Sequence, residues 1–342
     1  MTGYGVSDNP IFVHAWWRSG STYVWSKLRE NDSCLCYYEP LHERNAELDL
    51  AAVQAAPSLK LSQALRHPVP NKHYFDEYAE LLRSRNLSYT PDLAYDRYLL
   101  QPAQKDERLR NYLDGLISSA RAASRRPILC FCRSQMRSAW MKQNFGGIHL
   151  AQIRNPADQW TSFKVDSYFV SQLIIIALRL RDLHPGAFAH IQPFESFAQQ
   201  VSSRSSLPSE IFVQYVIEPF VSQRDCLDIF LIIWIASTLQ AIGCCDFLLD
   251  IDLLSTELEC RNTATRWFDL IGCYVDFSDC SSPICGDTYL GSAFERIAAD
   301  AASAIRSRAS SLVVTRSEIV RSRLASLSTL SQRVLMMALE SE

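Results

Sequence analysis

Residues 11–29, IFVHAWWRSGSTYVWSKLR, decide how the rest of the chain is read. Ile11, Phe12 and Val13 form an apolar run of β-branched and aromatic residues, and Ala15, Trp16 and Trp17 extend it without a charge, as expected of a strand buried on both faces. The pattern then changes. Arg18, Ser19, Gly20, Ser21 and Thr22 are small and polar apart from one cation, while Val24, Trp25 and Leu28 follow at the spacing of one helix face. The stretch is therefore a strand, a tight loop and a helix, with the loop at the helix N-terminus. Unpaired N–H groups and the helix dipole favour an anion there, and Gly20 allows close approach of the backbone. Two readings stay open: Ser and Thr acting as ordinary N-caps, or a seat for a phosphate or sulfate.

Outward from this unit, Cys34 to Tyr38 reads as a second buried strand that stops at Glu39-Pro40-Leu41-His42-Glu43. A strand returning beside the first would bring Glu39 next to Arg18. Residues 46–126 form a long insertion of mixed charge, mostly helical in pattern, broken by prolines and carrying no chemical motif. Its tyrosines are candidates for contact with a polar substrate. Pro127 to Cys132 and Ile148 to Ile153 are further strands, each followed by an arginine. After the latter comes Arg154-Asn155-Pro156, where Asn155 suits an N-cap and Pro156 the first helical turn, with helix expected through Asp166. Ser162 lies about two turns into that helix. Beyond Ser171 the chain reads as mostly helical. Leu173–Leu180 and Phe230–Cys245 read as buried helices too short or too mixed to cross a membrane, and residues 292–342 as a helical tail whose apolar positions pack on the body.

Composition narrows the class. With 342 residues, 48% of them hydrophobic and 21% charged, the chain can bury a large core. Its net charge of −3 provides no general field for nucleic acid or an anionic membrane, so any anion site must be local. Eleven cysteines, none in a C-x-x-C pair, read as reduced core thiols in a cytoplasmic protein, with zinc held by two converging C-x-C pairs as the lesser alternative. No basic segment precedes an apolar run at the N-terminus, so no targeting signal is expected there.

The loop does not match the nucleotide triphosphatase pattern G-x-x-x-x-G-K-[ST], because no earlier glycine is present and Ser21 replaces the lysine. Arg18-Ser19-Gly20-Ser21-Thr22-Tyr23 instead resembles the 5′-phosphosulfate loop of sulfotransferases: a basic residue, Ser-Gly-[ST]-[ST] and an aromatic. Glu39-Pro40 resembles the Glu or Glu-Pro that follows this loop in many carbohydrate and protein sulfotransferases. Arg154 and Ser162, eight positions apart, resemble the pair that holds the 3′-phosphate in that family. The Arg-Lys-Gly run of the cytosolic aryl and steroid enzymes is missing.

The resemblance implies an α/β fold, a central parallel sheet of P-loop type flanked by helices, in a single domain over 9–335 with a cofactor-binding core at 9–170 and a helical part at 171–335. It also implies a transferase that moves the sulfuryl group of 3′-phosphoadenosine-5′-phosphosulfate (PAPS) to an acceptor hydroxyl, of a glycan or glycolipid, without metal. The implied cofactor-binding residues are Arg18, Ser19, Gly20, Ser21, Thr22, Tyr23, Arg154 and Ser162, and the implied catalytic residues are Arg18 and Glu39, with His42 as second candidate for the base. The competing readings are a magnesium-dependent phosphotransferase with a degenerate P-loop and a non-catalytic nucleotide-binding protein. Acceptor and oligomeric state are not encoded in these motifs.

Overall fold

The structure, a computed structural model, describes residues 9–55, 62, 67, 71–184, 186–202, 221–281, 291–307 and 317–339. By its contacts the chain divides into two compact units. The first holds residues up to 94, 100–153 and 244–282, and the second holds 95–99, 154–243 and the residues from 283 on.

The first unit is built on five parallel strands: β1 Ile11–His14, β2 Cys34–Tyr38, β3 Arg126–Phe131, β4 Ile148–Ile153 and β5 Phe247–Asp250, in the order β2-β3-β1-β4-β5. The central strand is covered on both faces, which explains its unbroken apolar run in place of alternation. Ile11 and Val13 pack with Val24, Trp25 and Leu28 of the helix α1 (Ser21–Arg29) and with Ala264 and Phe268 of the helix Leu258–Leu270. Phe12 packs on the other face with Leu113, Leu116 and Ile117 of the helix Glu107–Ala122 and with Trp140 and Met141 of the helix Ser138–Phe145. The chain thus leaves β1 toward one face and its neighbour β3 toward the other. Open α/β sheets have their crevice at the carboxyl ends of strands where connections part in this way.

Several expectations are corrected. The first strand ends at His14 rather than running on through Trp17. Ala15 N–H gives one more bond to the Phe131 carbonyl (3.0 Å), Trp16 makes an isolated bridge to Arg133, and at Arg18 the backbone turns over with φ 62°. The second strand does not lie beside the first, because β3 is inserted between them. Beyond Ser171, where the sequence predicts mostly helix, Phe247–Asp250 forms strand β5. The described part of 46–126 is less helical than expected: Glu107–Ala122 has 16 residues, while Leu50–Gln54 and Ala79–Arg83 have five each.

In the second unit the helix after Arg154 runs Pro156–Phe163 and stops short of Asp166, whose side chain accepts from Tyr168 N–H at the start of the next helix, Ser167–Leu183. Trp160 packs at a tilt and Phe163 edge-on against Phe230, and Trp234 Nε1 donates to Gln159 Oε1 at 3.1 Å. Phe230 and Trp234 lie on the helix Gln223–Cys244. It has 22 residues, and its most apolar 18-residue window, with a mean hydropathy of 1.8, is long and apolar enough to cross a membrane by length and composition, while 94% of that window is buried. In the tail, Ile305, Leu324 and Leu327 are buried as expected. Ile319 is exposed, Leu330 is half-buried, and Leu312 and Val313 lie outside the described residues.

Candidate functional site

The loop between β1 and α1 has the backbone of an anion seat. Gly20 is the N-cap residue of α1 at φ 84°, a left-handed conformation that an L side chain resists. Helix α1 has no side-chain cap and no acid in its first turn. The N–H groups of Gly20, Ser21 and Thr22 have no partner among the described residues. Two contacts fix the loop from behind: Ser19 Oγ donates to the Trp16 carbonyl at 2.6 Å, and Gln152 Nε2 of β4 donates to the Ser19 carbonyl at 2.6 Å. Ser19 N–H itself bonds the Trp16 carbonyl, so the three donors that follow are the ones presented. The Tyr23 hydroxyl is engaged elsewhere, donating to Asp279 at 2.8 Å on a rim shared with Lys27.

Across from the loop lies Glu39, a buried carboxylate with φ 39°, outside the comfortable range of any residue but glycine. Its neighbours hold it there. The carbonyl of Tyr38 accepts from the Tyr78 hydroxyl, that of Glu39 from His42 N–H and Asn45 Nδ2, that of Pro40 from Asn45 Nδ2 and the Tyr112 hydroxyl, and that of Leu41 from Arg133 Nη1, all at 2.7–3.1 Å. Arg133 is in turn pinned by Glu43 Oε2 at 2.6 Å and by the Trp17 ring. A backbone outlier persists when its surroundings over-determine it, and such residues cluster at functional sites.

Side chains join the two halves. Cys132, one residue past β3, places Sγ 3.0 Å from Ser21 Oγ, and burial, then the nearby Glu39 charge, push its thiol up. Thr22 Oγ1 is 2.9 Å from the Tyr38 hydroxyl, one residue before Glu39. His67 Nε2 accepts from Arg18 Nη1 at 3.2 Å. Burial, then the Arg18 charge, lower His67 to about 4, while the nearby Glu39 opposes them, so the ring is neutral at pH 7. His42 follows in the same turn, its pKa lowered mainly by burial. Its Nδ1 accepts Arg44 N–H at 3.2 Å, which leaves the proton of the neutral ring on Nε2.

The first unit thus brings together Arg18, Ser21, Thr22 and Glu39, with His42 beside them. Arg154 and Ser162 belong to the second unit, where Arg154 is buried, Asn155 caps the helix by accepting from Asp158 N–H at 2.9 Å, and Ser162 is half-buried in the last turn. The sequence missed His67, Cys132 and Gln152. The sequence predicts Cys132 as a core thiol ending a strand, whereas the structure places it one residue past β3 and against Ser21. His67 carried none, standing alone in a stretch without a motif.

Among the described residues no three His, Cys, Asp or Glu side chains are grouped to hold a metal. The ten described cysteines are free thiols, with Cys36 and Cys130 paired at 3.7 Å and Cys34 and Cys273 at 4.0 Å. No protein-family model, curated protein or solved structure matches the chain.

Proposed function

We propose that the chain is a PAPS-dependent sulfotransferase whose parallel sheet is of P-loop type. The observation that carries this reading is the convergence of the loop cation Arg18 and the strained, buried carboxylate Glu39 beside three N–H groups at the N-terminus of α1 that have no partner among the described residues. An anion seat alone would serve any phosphate binder. A carboxylate held over it against backbone strain is what a transferase to a hydroxyl needs.

In sulfuryl transfer the acceptor oxygen bonds to sulfur as the bond from sulfur to the bridging oxygen of the donor breaks and the electron pair leaves with that oxygen. Arg18 is assigned to the charge growing on the bridging and sulfuryl oxygens, and the N–H groups of Gly20, Ser21 and Thr22 with the Ser21 hydroxyl to the 5′-phosphate. Glu39 takes the acceptor proton. His42 is the weaker candidate, since the geometry leaves its Nε2 protonated. By their resemblance to the family's second motif, Arg154 and Ser162 are assigned the 3′-phosphate. The scheme requires no metal, because a guanidinium and backbone donors supply the positive field. The acceptor proposed is a glycan or glycolipid hydroxyl, and the compartment the cytoplasm, in keeping with free thiols.

A panel of glycan and glycolipid acceptors incubated with PAPS labelled in the sulfuryl group, in chelator, tests this. Labelled product is expected from at least one acceptor. Transfer of phosphate from ATP with magnesium, and none from PAPS, would establish the phosphotransferase reading instead.

A further inference from the structure

The long connection from β2 to β3 carries no motif, yet it delivers one side chain to the site. His67 meets Arg18 through Nε2 at 3.2 Å, and its backbone N–H is fixed on the Ser62 carbonyl at 2.8 Å. Its ring also stands edge-on to Tyr74, whose hydroxyl is 3.0 Å from Ser62 Oγ, so Ser62 and Tyr74 together brace the imidazole. Arg18 occupies a left-handed backbone conformation in a loop of small residues, and a long side chain there has many rotamers to lose. Because a guanidinium only donates, the imidazole nitrogen it meets must be the lone-pair nitrogen, and the ring proton sits on Nδ1.

We infer that His67 is a positioning residue for Arg18: it fixes the direction of the guanidinium over the loop, so that part of the transfer site is built by the connection between β2 and β3. The inference rests on the sulfotransferase reading. His67 is not the base, since its lone pair is turned to a cation and its low pKa makes it a poor proton acceptor. Its effect on ligand passes through Arg18. Removing it leaves the charge in place but takes away the contact that directs Nη1.

A double-mutant cycle on the full chain, with 3′-phosphoadenosine-5′-phosphate as the probe in calorimetry without metal, tests this. His67→Ala should weaken binding about tenfold and Arg18→Ala about a hundredfold, with the double variant no weaker than Arg18→Ala alone. His67→Gln, whose amide oxygen can accept where Nε2 does, should restore most of the affinity. Thermal melting run in parallel identifies any variant that has unfolded. Additive losses, or no rescue by Gln in a folded protein, would overturn the role of His67 while leaving the ligand assignment intact. Failure of the wild type to bind the probe would sink the sulfotransferase reading, and this inference with it.

Discussion

Glu39 is where residue-scale physics and the proposed chemistry meet. A non-glycine residue at φ 39° costs on the order of 1–3 kcal/mol, and here the cost is offset by captured carbonyls on Tyr38, Glu39, Pro40 and Leu41. If the carboxylate had no partner to serve, a glycine would fold more easily there. Glu39→Gln keeps the size and much of the hydrogen bonding but cannot accept a proton. Turnover in the labelled transfer assay should fall by ~10² to 10⁴, with affinity for the desulfated nucleotide near that of the wild type. A near-normal single-turnover rate would move the base elsewhere. The sequence showed this residue, since an acid between a strand and a proline is an unusual ending. It did not show the restraint, because Tyr78, Tyr112, Asn45 and Arg133 reach the turn from separate elements.

At the scale of elements, the legible parts were those with a local signature. The strands β1, β2, β3 and β4 were apolar runs ending in polar turns, and Asn155-Pro156 announced a helix start. Strand β5 had four residues and followed a 22-residue apolar helix, so its signal merged with that helix. The order of the strands is not local at all: nothing near Cys34–Tyr38 says that β3 comes between it and β1. Pairing β1 with both β3 and β4 also creates a buried polar chain that no pattern announces. Ser134 Oγ is 2.7 Å from His14 Nδ1, His14 Nε2 is 2.9 Å from His149 Nδ1, and His149 Nε2 is 2.8 Å from the Gly146 carbonyl. That carbonyl only accepts, so the neutral chain runs one way: Ser134 donates to His14, His14 to His149, and His149 to Gly146.

Burial lowers both histidines and Lys142 adds to the shift; for His149, lowered to about 4, the bond to the Gly146 carbonyl and then Asp246 oppose it. The unfolded value is ~6.5. Because the folded pKa lies below the unfolded one, this stability is fully present above ~6.5 and is lost as pH falls from there toward 4. For His149 alone the loss is on the order of 3 kcal/mol. Denaturant midpoints should therefore decline between pH 7 and pH 4.5. His149→Gln should flatten that decline, whatever it does to stability at pH 7. An unchanged slope in the variant would mean that His149 is charged or exposed in the folded protein.

At the scale of the whole chain, the first unit contains the sheet, the loop and Glu39, and the second contains Arg154, Ser162 and the long apolar helix. The proposed 3′-phosphate contacts of Arg154 and Ser162 rest on motif resemblance, whereas the proposed roles of the loop and of Glu39 are motivated also by the left-handed Gly20 and the strained Glu39. Since the net charge is −3, binding of a polyanionic nucleotide has to come from local donors rather than from a general field. The central claim is that these donors suit a 3′-phosphorylated, 5′-phosphosulfate nucleotide without metal. Isothermal titration with 3′-phosphoadenosine-5′-phosphate in chelator, set beside ATP with magnesium, tests it most directly. Clear binding of the first and at least tenfold weaker binding of the second is the predicted result, and equal or stronger binding of ATP with magnesium would contradict the account.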